Sequence, residues 1–120
     1  MARIRHIALL TNDQPRLAAF YQETFGMKEV HRHAAETGGE AIYLSDGEIN
    51  LAILPARGRP EGLFHFGFHV EDVGQTAQRA KAAGAKQSPK SVPRDGRFAE
   101  VFIVDPVGTR VDLSKQGWKT

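Results

Sequence analysis

The sequence predicts an α+β fold made of two βαβββ modules in one domain. The length of 120 residues suits a single domain, and one pattern of residues occurs twice along the chain, about 60 residues apart. Each copy begins with a strand-like segment, which contains His6 in the first copy and His65 in the second. A helical pattern that ends at a glycine follows each strand, and further strand-like segments follow each helix.

The first module begins with a predicted strand from Ile4 to Leu10 and a predicted helix from Arg16 to Phe25. Asn12 or Asp13 suits the N-cap of this helix, and Gly26 suits its C-terminal end. Apolar residues at helical spacing predict its buried face, namely Leu17, Phe20, Tyr21 and Phe25. Three strands are then expected, Lys28 to Ala34, Ala41 to Ser45 and Glu48 to Leu54, the last two joined at Asp46-Gly47.

The second module repeats this order of elements. Its predicted elements are a strand from Phe64 to Val70, a helix from Glu71-Asp72 to about Ala83, a weak strand from Lys86 to Ser91, and strands from Phe98 to Val104 and from Thr109 to Ser114. The last two strands are expected to form a hairpin around Asp105-Pro106-Val107-Gly108. We therefore expect a single domain over residues 1–120, with module one over 1–57 and module two over 58–120.

Composition excludes several classes of protein. The net charge is only +2, and no Lys/Arg run is interleaved with aromatic residues, so nucleic acid is not an expected partner. The chain has no cysteine, which excludes disulfides, thiolate nucleophiles and Cys-ligated zinc. No apolar stretch approaches the roughly 20 residues of a membrane helix. The N-terminal residues run directly into a strand without a signal-peptide pattern, so we expect a cytoplasmic protein.

Three polar residues are expected on strand faces that turn away from the helices. Alternate strand residues point to opposite faces, so His65 lies on the face opposite to the Phe-rich face of its strand. Because His6 occupies the equivalent position in the first copy of the repeat, we expect it to have the same orientation. The last hairpin places Asp112 opposite Phe102. A buried carboxylate needs a compensating charge, and two imidazoles with one carboxylate suit a divalent metal such as Fe, Mn or Zn. The alternatives are structural histidines and a hydrogen-bonded Asp112.

The same segments resemble the vicinal oxygen chelate superfamily, which includes glyoxalase I, fosfomycin-resistance proteins, bleomycin-binding proteins, methylmalonyl-CoA epimerase and extradiol dioxygenases. The resemblance is carried by His6-Ile7-Ala8-Leu9, Ala18-Ala19-Phe20-Tyr21, Phe25-Gly26-Met27, His65 to Val73, Asp105 to Gly108 and Val111-Asp112-Leu113. It implies modules that curl into an open, glyoxalase-like cup. It also implies a divalent-metal-dependent enzyme that acts on a small oxygen-bearing metabolite as an isomerase or lyase, by group transfer, or as a ring-cleaving dioxygenase.

The resemblance implies a metal ligand set of His6, His65 and Asp112, with Fe, Mn, Zn, Ni or Co as the ion. The family's fourth ligand position lies near Ala52, which cannot bind a metal, and Asn50 on the same face is a weak substitute. The family's usual Glu on the last strand is Asp112 here. These departures favour a His-His-carboxylate site over the four-ligand set typical of glyoxalase I.

Three further residues are candidates for acid–base catalysis. Glu100 shares the face of Asp112 and is a candidate general base, although a rim carboxylate paired with Ser114 or Lys115 is the alternative. Tyr43 and His69 are the other two candidates. Arg94 and Arg97 flank the same hairpin as Glu100 and either hold an anionic substrate or are ordinary loop charges.

A metal-free small-molecule-binding protein is the alternative to a metal-dependent enzyme. Bleomycin-binding relatives are metal-free small-molecule-binding proteins, but those relatives usually lose the ligand histidines, and this chain retains both. The resemblance also implies that modules pair across chains, so a homodimer is expected, since an exposed apolar half-cup is a large patch for a monomer.

Overall fold

The computed structural model describes residues 1–35, 38–89 and 101–120, and the predicted α+β fold is confirmed within them. The elements in chain order are β1 Arg3–Thr11, α1 Gln14–Phe25, β2 Lys28–Ala34, β3 Glu40–Ser45, β4 Asn50–Pro55, β5 Gly62–His69, α2 Val73–Ala82, β6 Val101–Val104 and β7 Arg110–Ser114. Neither of these helices is long and apolar enough to cross a membrane.

Two compact units share these elements. The first unit consists of His6–Phe64 together with Lys119–Thr120, and the second consists of Met1–Arg5 together with His65–Trp118.

The first unit is a four-stranded arrangement in the order β2-β3-β4-β1. β1 and β4 are parallel, whereas β3 pairs antiparallel with both β4 and β2. One face packs against α1 and forms the core, which consists of Leu9, Ala18, Ile42, Leu44, Leu51 and Ile53. Because strand residues alternate, the opposite face carries His6, Asn50 and Tyr43.

Helix α1 begins two residues before its predicted start. The side chain of Asp13 caps it by accepting the backbone N–H of Arg16 at 3.2 Å, and Gly26 ends it with a left-handed φ of 70°. The predicted buried face is partly wrong: Leu17 and Tyr21 pack against the core, but Phe20 and Phe25 are 54% and 67% exposed. The helix instead buries Gln14 and Ala18. Phe20 lies at the edge of that face and Phe25 is the last helical residue.

The second unit contains three strands in the order β5-β7-β6, with β5 and β7 parallel and β6 and β7 antiparallel. Its core consists of Val70, Val73 and Leu113, with Phe68, Val101 and Ile103 packed against them. The predicted pairing of Phe102 with Asp112 is present. In the predicted strand Lys86 to Ser91, one isolated bridge joins Gln87 to Val104, and residues 90–100 lie outside the described ranges.

Both hairpin turns are held by an aspartate. The carboxylate of Asp46 accepts the backbone N–H groups of Glu48 and Ile49 at 2.8 and 2.7 Å, so β4 begins at Asn50 and not at the predicted Glu48. The carboxylate of Asp105 accepts the N–H groups of Val107 and Thr109 at 2.9 and 3.0 Å. These hydrogen bonds to the charged form lower the pKa of both carboxyl groups.

Candidate functional site

His6 and Asn50 form a buried polar pair in the first unit. They are neighbours in the parallel register of β1 and β4, and 3% and 2% of their surfaces remain exposed. His6 Nδ1 lies 3.0 Å from Asn50 Oδ1, while Asn50 Nδ2 donates to the carbonyl of Lys119 at 2.9 Å.

These contacts determine the tautomer of His6. A carbonyl oxygen can only accept, so the amide nitrogen of Asn50 must face Lys119 and its oxygen must face His6. Nδ1 of His6 therefore donates to Asn50, and Nε2 is the ring nitrogen that does not take part in this hydrogen bond. This is the usual arrangement of a metal-binding histidine, whose second ring nitrogen donates to an oxygen atom that orients the imidazole.

The second unit contains a buried charged cluster around Asp112. Its carboxylate is fully buried, and Oδ2 lies 3.2 Å from Nε2 of the buried His65. Arg110 binds both carboxylate oxygens, with Nε at 2.7 Å from Oδ1 and Nη2 at 3.2 Å from Oδ2. The guanidinium also lies 4.5 Å from the ring centroid of Phe102.

Arg110 thus balances the charge of Asp112, a role that the sequence argument gave to a metal. Sequence reasoning missed this residue, although its position carried a signal. Residues two apart on a strand share a face, so a long cationic side chain at position 110 can reach a carboxylate at position 112.

The internal repeat aligns the candidate ligands of the two units. His6 corresponds to His65 at the start of each copy. In the parallel registers, Ala8 pairs with Ala52 and Gly67 pairs with Asp112. Position 52 therefore corresponds to position 112, so the first unit has a methyl group where the second unit has a carboxylate.

The remaining predicted site residues fall in different places. Tyr43 lies on β3, where its ring is 5.7 Å from the rings of both His31 and His33. His69 is exposed on β5, and its Nε2 lies 2.7 Å from the carbonyl oxygen of Lys115. Glu100 lies outside the described residues, as do Arg94 and Arg97.

Trp118 is a further residue that the sequence did not single out. A Cβ atom placed on Gly67 would come within 2.6 Å of Trp118 Cη2, so the indole lies directly on β5. Gly67 is the register partner of Asp112. The indole therefore covers the strand beside the charged cluster.

The donor chemistry of these residues fits a divalent metal. Over residues 1–35, 38–89 and 101–120, no group of three or more His, Cys, Asp or Glu side chains is arranged to hold an ion. The 3.2 Å between His65 Nε2 and Asp112 Oδ2 nevertheless suits two neighbouring ligands that each lie about 2.0–2.2 Å from one ion. His6 donates from Nδ1 to an oxygen atom, as a metal-binding histidine usually does. A metal at Asp112 would compete with the guanidinium of Arg110.

Comparison with known proteins gives a family match over nearly the whole chain. The model described as Glyoxalase/Bleomycin resistance protein/Dioxygenase superfamily matches residues 3–113. The chain is 29% identical over 126 residues to the Arabidopsis thaliana protein named "Probable lactoylglutathione lyase, chloroplastic", with 96% of this chain and 36% of that protein covered. It is also 29% identical over 126 residues to uncharacterized protein PA2024 of Pseudomonas aeruginosa, with 92% and 86% covered. The chain spans 36–41% of the length of the first three curated relatives it matches.

Solved structures share the fold at low sequence identity. Hypothetical protein BH1468 from Bacillus halodurans superposes with a TM-score of 0.79 at 16% identity, covering 99% of this chain and 97% of that chain. Methylmalonyl-CoA epimerase of Streptomyces coelicolor, in complex with 2-nitronate-propionyl-CoA, gives a TM-score of 0.72 at 24% identity, with 93% and 95% covered.

Proposed function

We propose, since this chain belongs to the Glyoxalase/Bleomycin resistance protein/Dioxygenase superfamily, that it is a divalent-metal-dependent enzyme acting on a small oxygen-bearing metabolite. His6, His65 and Asp112 would hold the ion. The observation that carries the proposal is the buried pair of His65 Nε2 and Asp112 Oδ2 at 3.2 Å, which has the donor types and the spacing of neighbouring metal ligands.

The tautomer of His6 supports its role as the third ligand. Its Nδ1 is held by Asn50, which is itself held by a backbone carbonyl, so the imidazole is oriented before any ion binds. Such preorganisation lowers the entropic cost of binding.

When bound, the metal would supply Lewis acidity toward the oxygens of the substrate. The protein's own residues would bind and orient the substrate and move its protons. Tyr43, His69 and Glu100 remain our candidates for proton transfer. The names of the relatives, a lactoylglutathione lyase and a methylmalonyl-CoA epimerase, favour a lyase or isomerase over group transfer and ring cleavage.

A metal-free small-molecule-binding protein is the second candidate, and one observation favours it. Arg110 already binds both oxygens of Asp112, so the buried carboxylate has a counter-ion without a metal. In that case a small-molecule ligand, and not a metal ion, would contact the polar side chains of His65, Asp112 and Arg110.

Calorimetric titration with Mn²⁺, Zn²⁺, Ni²⁺, Co²⁺ and anaerobic Fe²⁺ separates the two candidates. The metal-dependent enzyme should bind one of these ions stoichiometrically at His6, His65 and Asp112, and His6→Ala or His65→Ala should abolish binding at this site in a folded protein. Asp112→Asn should weaken it at least tenfold, about 1.4 kcal/mol, whereas Glu100→Gln should leave it nearly unchanged. A larger loss for Glu100→Gln than for Asp112→Asn would mean that the carboxylate ligand is misassigned.

If no ion binds to the unmodified protein, the metal-free candidate replaces the enzyme. A positive result would also make Glu100 testable as a base. Its amide variant should then lose turnover by roughly 10²–10⁴ with the metal still bound.

A further inference from the structure

We propose a second divalent-metal site, separate from the first, at His31 and His33 on strand β2. The two histidines are two residues apart on a strand, so their side chains share one face, and both are exposed. Their ring centroids are 5.3 Å apart. Imidazole is a ligand for Cu²⁺, Ni²⁺ and Zn²⁺, and water can complete the coordination of an ion at an exposed position.

The ring separation suits a chelate. A metal bound about 2.0–2.1 Å from an imidazole nitrogen lies roughly 3.2 Å from the ring centre. Two such rings at angles from square-planar to tetrahedral then have centres about 4.5–5.2 Å apart. The observed 5.3 Å is within reach of this range after a small rotation of either side chain, so the strand need not move.

Tyr43 restricts both rings. It is the register partner of His31 on β3, and its ring stacks against His33 at 5.7 Å with an angle of 27° between the planes. It also contacts His31 at 5.7 Å. Side chains that are already held lose less conformational entropy when they bind an ion. The pair is therefore better prepared for chelation than two histidines on an isolated strand.

The charged residue nearest to the two histidines in sequence does not oppose a cation. Arg32 lies between the two histidines in sequence but on the other face of the strand. Its guanidinium is bound by Glu29 at 2.7 Å and by Glu40 at 3.3 Å. These two carboxylates compensate its charge, so repulsion of a bound ion from this side is small.

The affinity order of divalent ions places Cu²⁺ first at such a nitrogen site. Copper titration followed by calorimetry and by electron paramagnetic resonance therefore tests the proposal. The unmodified protein should bind a Cu²⁺ ion whose spectrum shows coupling to two imidazole nitrogens. His31→Ala and His33→Ala should each lower the affinity for this ion at least tenfold and remove one nitrogen from the spectrum.

Two controls make the result specific. His69→Ala removes another exposed strand histidine and should leave the copper titration unchanged. His6→Ala should also retain the surface ion, so the test is independent of the proposed function. The inference is overturned if either β2 variant, shown to be folded by circular dichroism, binds copper as the unmodified protein does, or if only His6→Ala abolishes copper binding.

Discussion

Arg110 is the residue whose replacement best distinguishes a metal site from a metal-free one. Methionine at this position keeps an apolar chain beside Phe102 but removes the guanidinium from Asp112. Breaking a buried ion pair costs about 3–5 kcal/mol, and because the Arg110 side chain is 34% exposed we expect the lower end of this range. Urea unfolding of Arg110→Met should show that loss in the free energy of unfolding. Saturating Zn²⁺ should restore part of the lost stability because the ion would bind the Asp112 carboxylate in place of the guanidinium.

Arg59→Met is the matched control for this experiment. The Arg59 guanidinium lies 4.6 Å from the ring centroid of Phe64, as Arg110 lies over Phe102. It donates to the backbone carbonyls of Ala56 and Pro55, whereas Arg110 donates to a carboxylate. Zinc should therefore give Arg59→Met no more stabilisation than it gives the unmodified protein. Equal zinc responses of Arg59→Met and Arg110→Met would argue that a metal ion does not compete with the Arg110 guanidinium for Asp112.

Strand alternation was sufficient to predict which side chains share a face. It placed His65 opposite the Phe-rich face of β5 and Asp112 across from Phe102. It could not predict that Asn50 orients His6, because the amide of Asn50 is anchored by Lys119, which is distant in sequence. Contacts of this kind depend on where the chain runs after the last strand, and no local pattern encodes that path.

At the scale of elements, the two aspartate-held turns should make hairpin stability depend on pH. The pKa values of Asp46 and Asp105 are lowered by backbone N–H donors. A lowered folded-state pKa means stabilisation that is complete above the unfolded carboxyl pKa of about 3.9 and is lost as pH falls through the folded value.

Asp46→Asn and Asp105→Asn keep an oxygen acceptor but remove the charge. Each variant should be less stable than the unmodified protein at pH 7, and the difference should shrink as the pH is lowered through the acidic range. Unfolding by urea at a series of pH values measures this. A difference that stays constant with pH would show that the charge of the turn aspartate has no role.

Gly67 tests the contact between strand β5 and Trp118. Alanine there would place a Cβ atom 2.6 Å from Trp118 Cη2, so the indole must move. Trp118 is the single tryptophan of the chain, so its fluorescence reports this change directly. Gly67→Ala should shift the emission toward the red and lower the stability.

Gly74→Ala, in helix α2, is the control because its Cβ would have an ordinary contact of 3.6 Å with Asp72 Oδ1. It should keep the emission spectrum and gain up to about 1 kcal/mol from helix propensity. An unchanged spectrum for Gly67→Ala would contradict the close packing of the indole.

The order and type of the elements were predictable because turn and capping residues lie at the ends of the apolar segments. Asp13, Gly26 and Asp72 mark helix ends as local rules require. The predicted buried face of α1 failed at Phe20 and Phe25, because helical spacing identifies an apolar face but not how far the neighbouring strands extend along it.

At the scale of the whole molecule, the exposed aromatic side chains of α1 are consistent with the expected homodimer. Phe20 and Phe25 contact each other at a centroid distance of 6.5 Å while remaining largely exposed, and contiguous exposed apolar groups often mark an interface. Light scattering at micromolar concentration should give about twice the chain mass of 13.2 kDa. A mass of one chain at all concentrations would contradict the dimer.

The internal repeat made the fold and the family recognisable from one sequence, and both are confirmed. The repeat also showed where the two copies have diverged, since position 52 is an alanine and position 112 an aspartate. The substrate could not be predicted, because residue types on a sheet face specify donor chemistry but not the shape of the molecule that they receive.

The most direct test of the metal-dependent enzyme is the metal content of a protein that lacks the surface histidines. His31→Ala/His33→Ala protein, purified without chelator, should retain close to one equivalent of a first-row divalent metal per chain by elemental analysis. Adding His6→Ala or His65→Ala to this background should remove that metal and leave a folded protein. No bound metal in the double variant, together with no calorimetric response to any added divalent ion, would contradict the proposal and leave Arg110 as a counter-ion of Asp112.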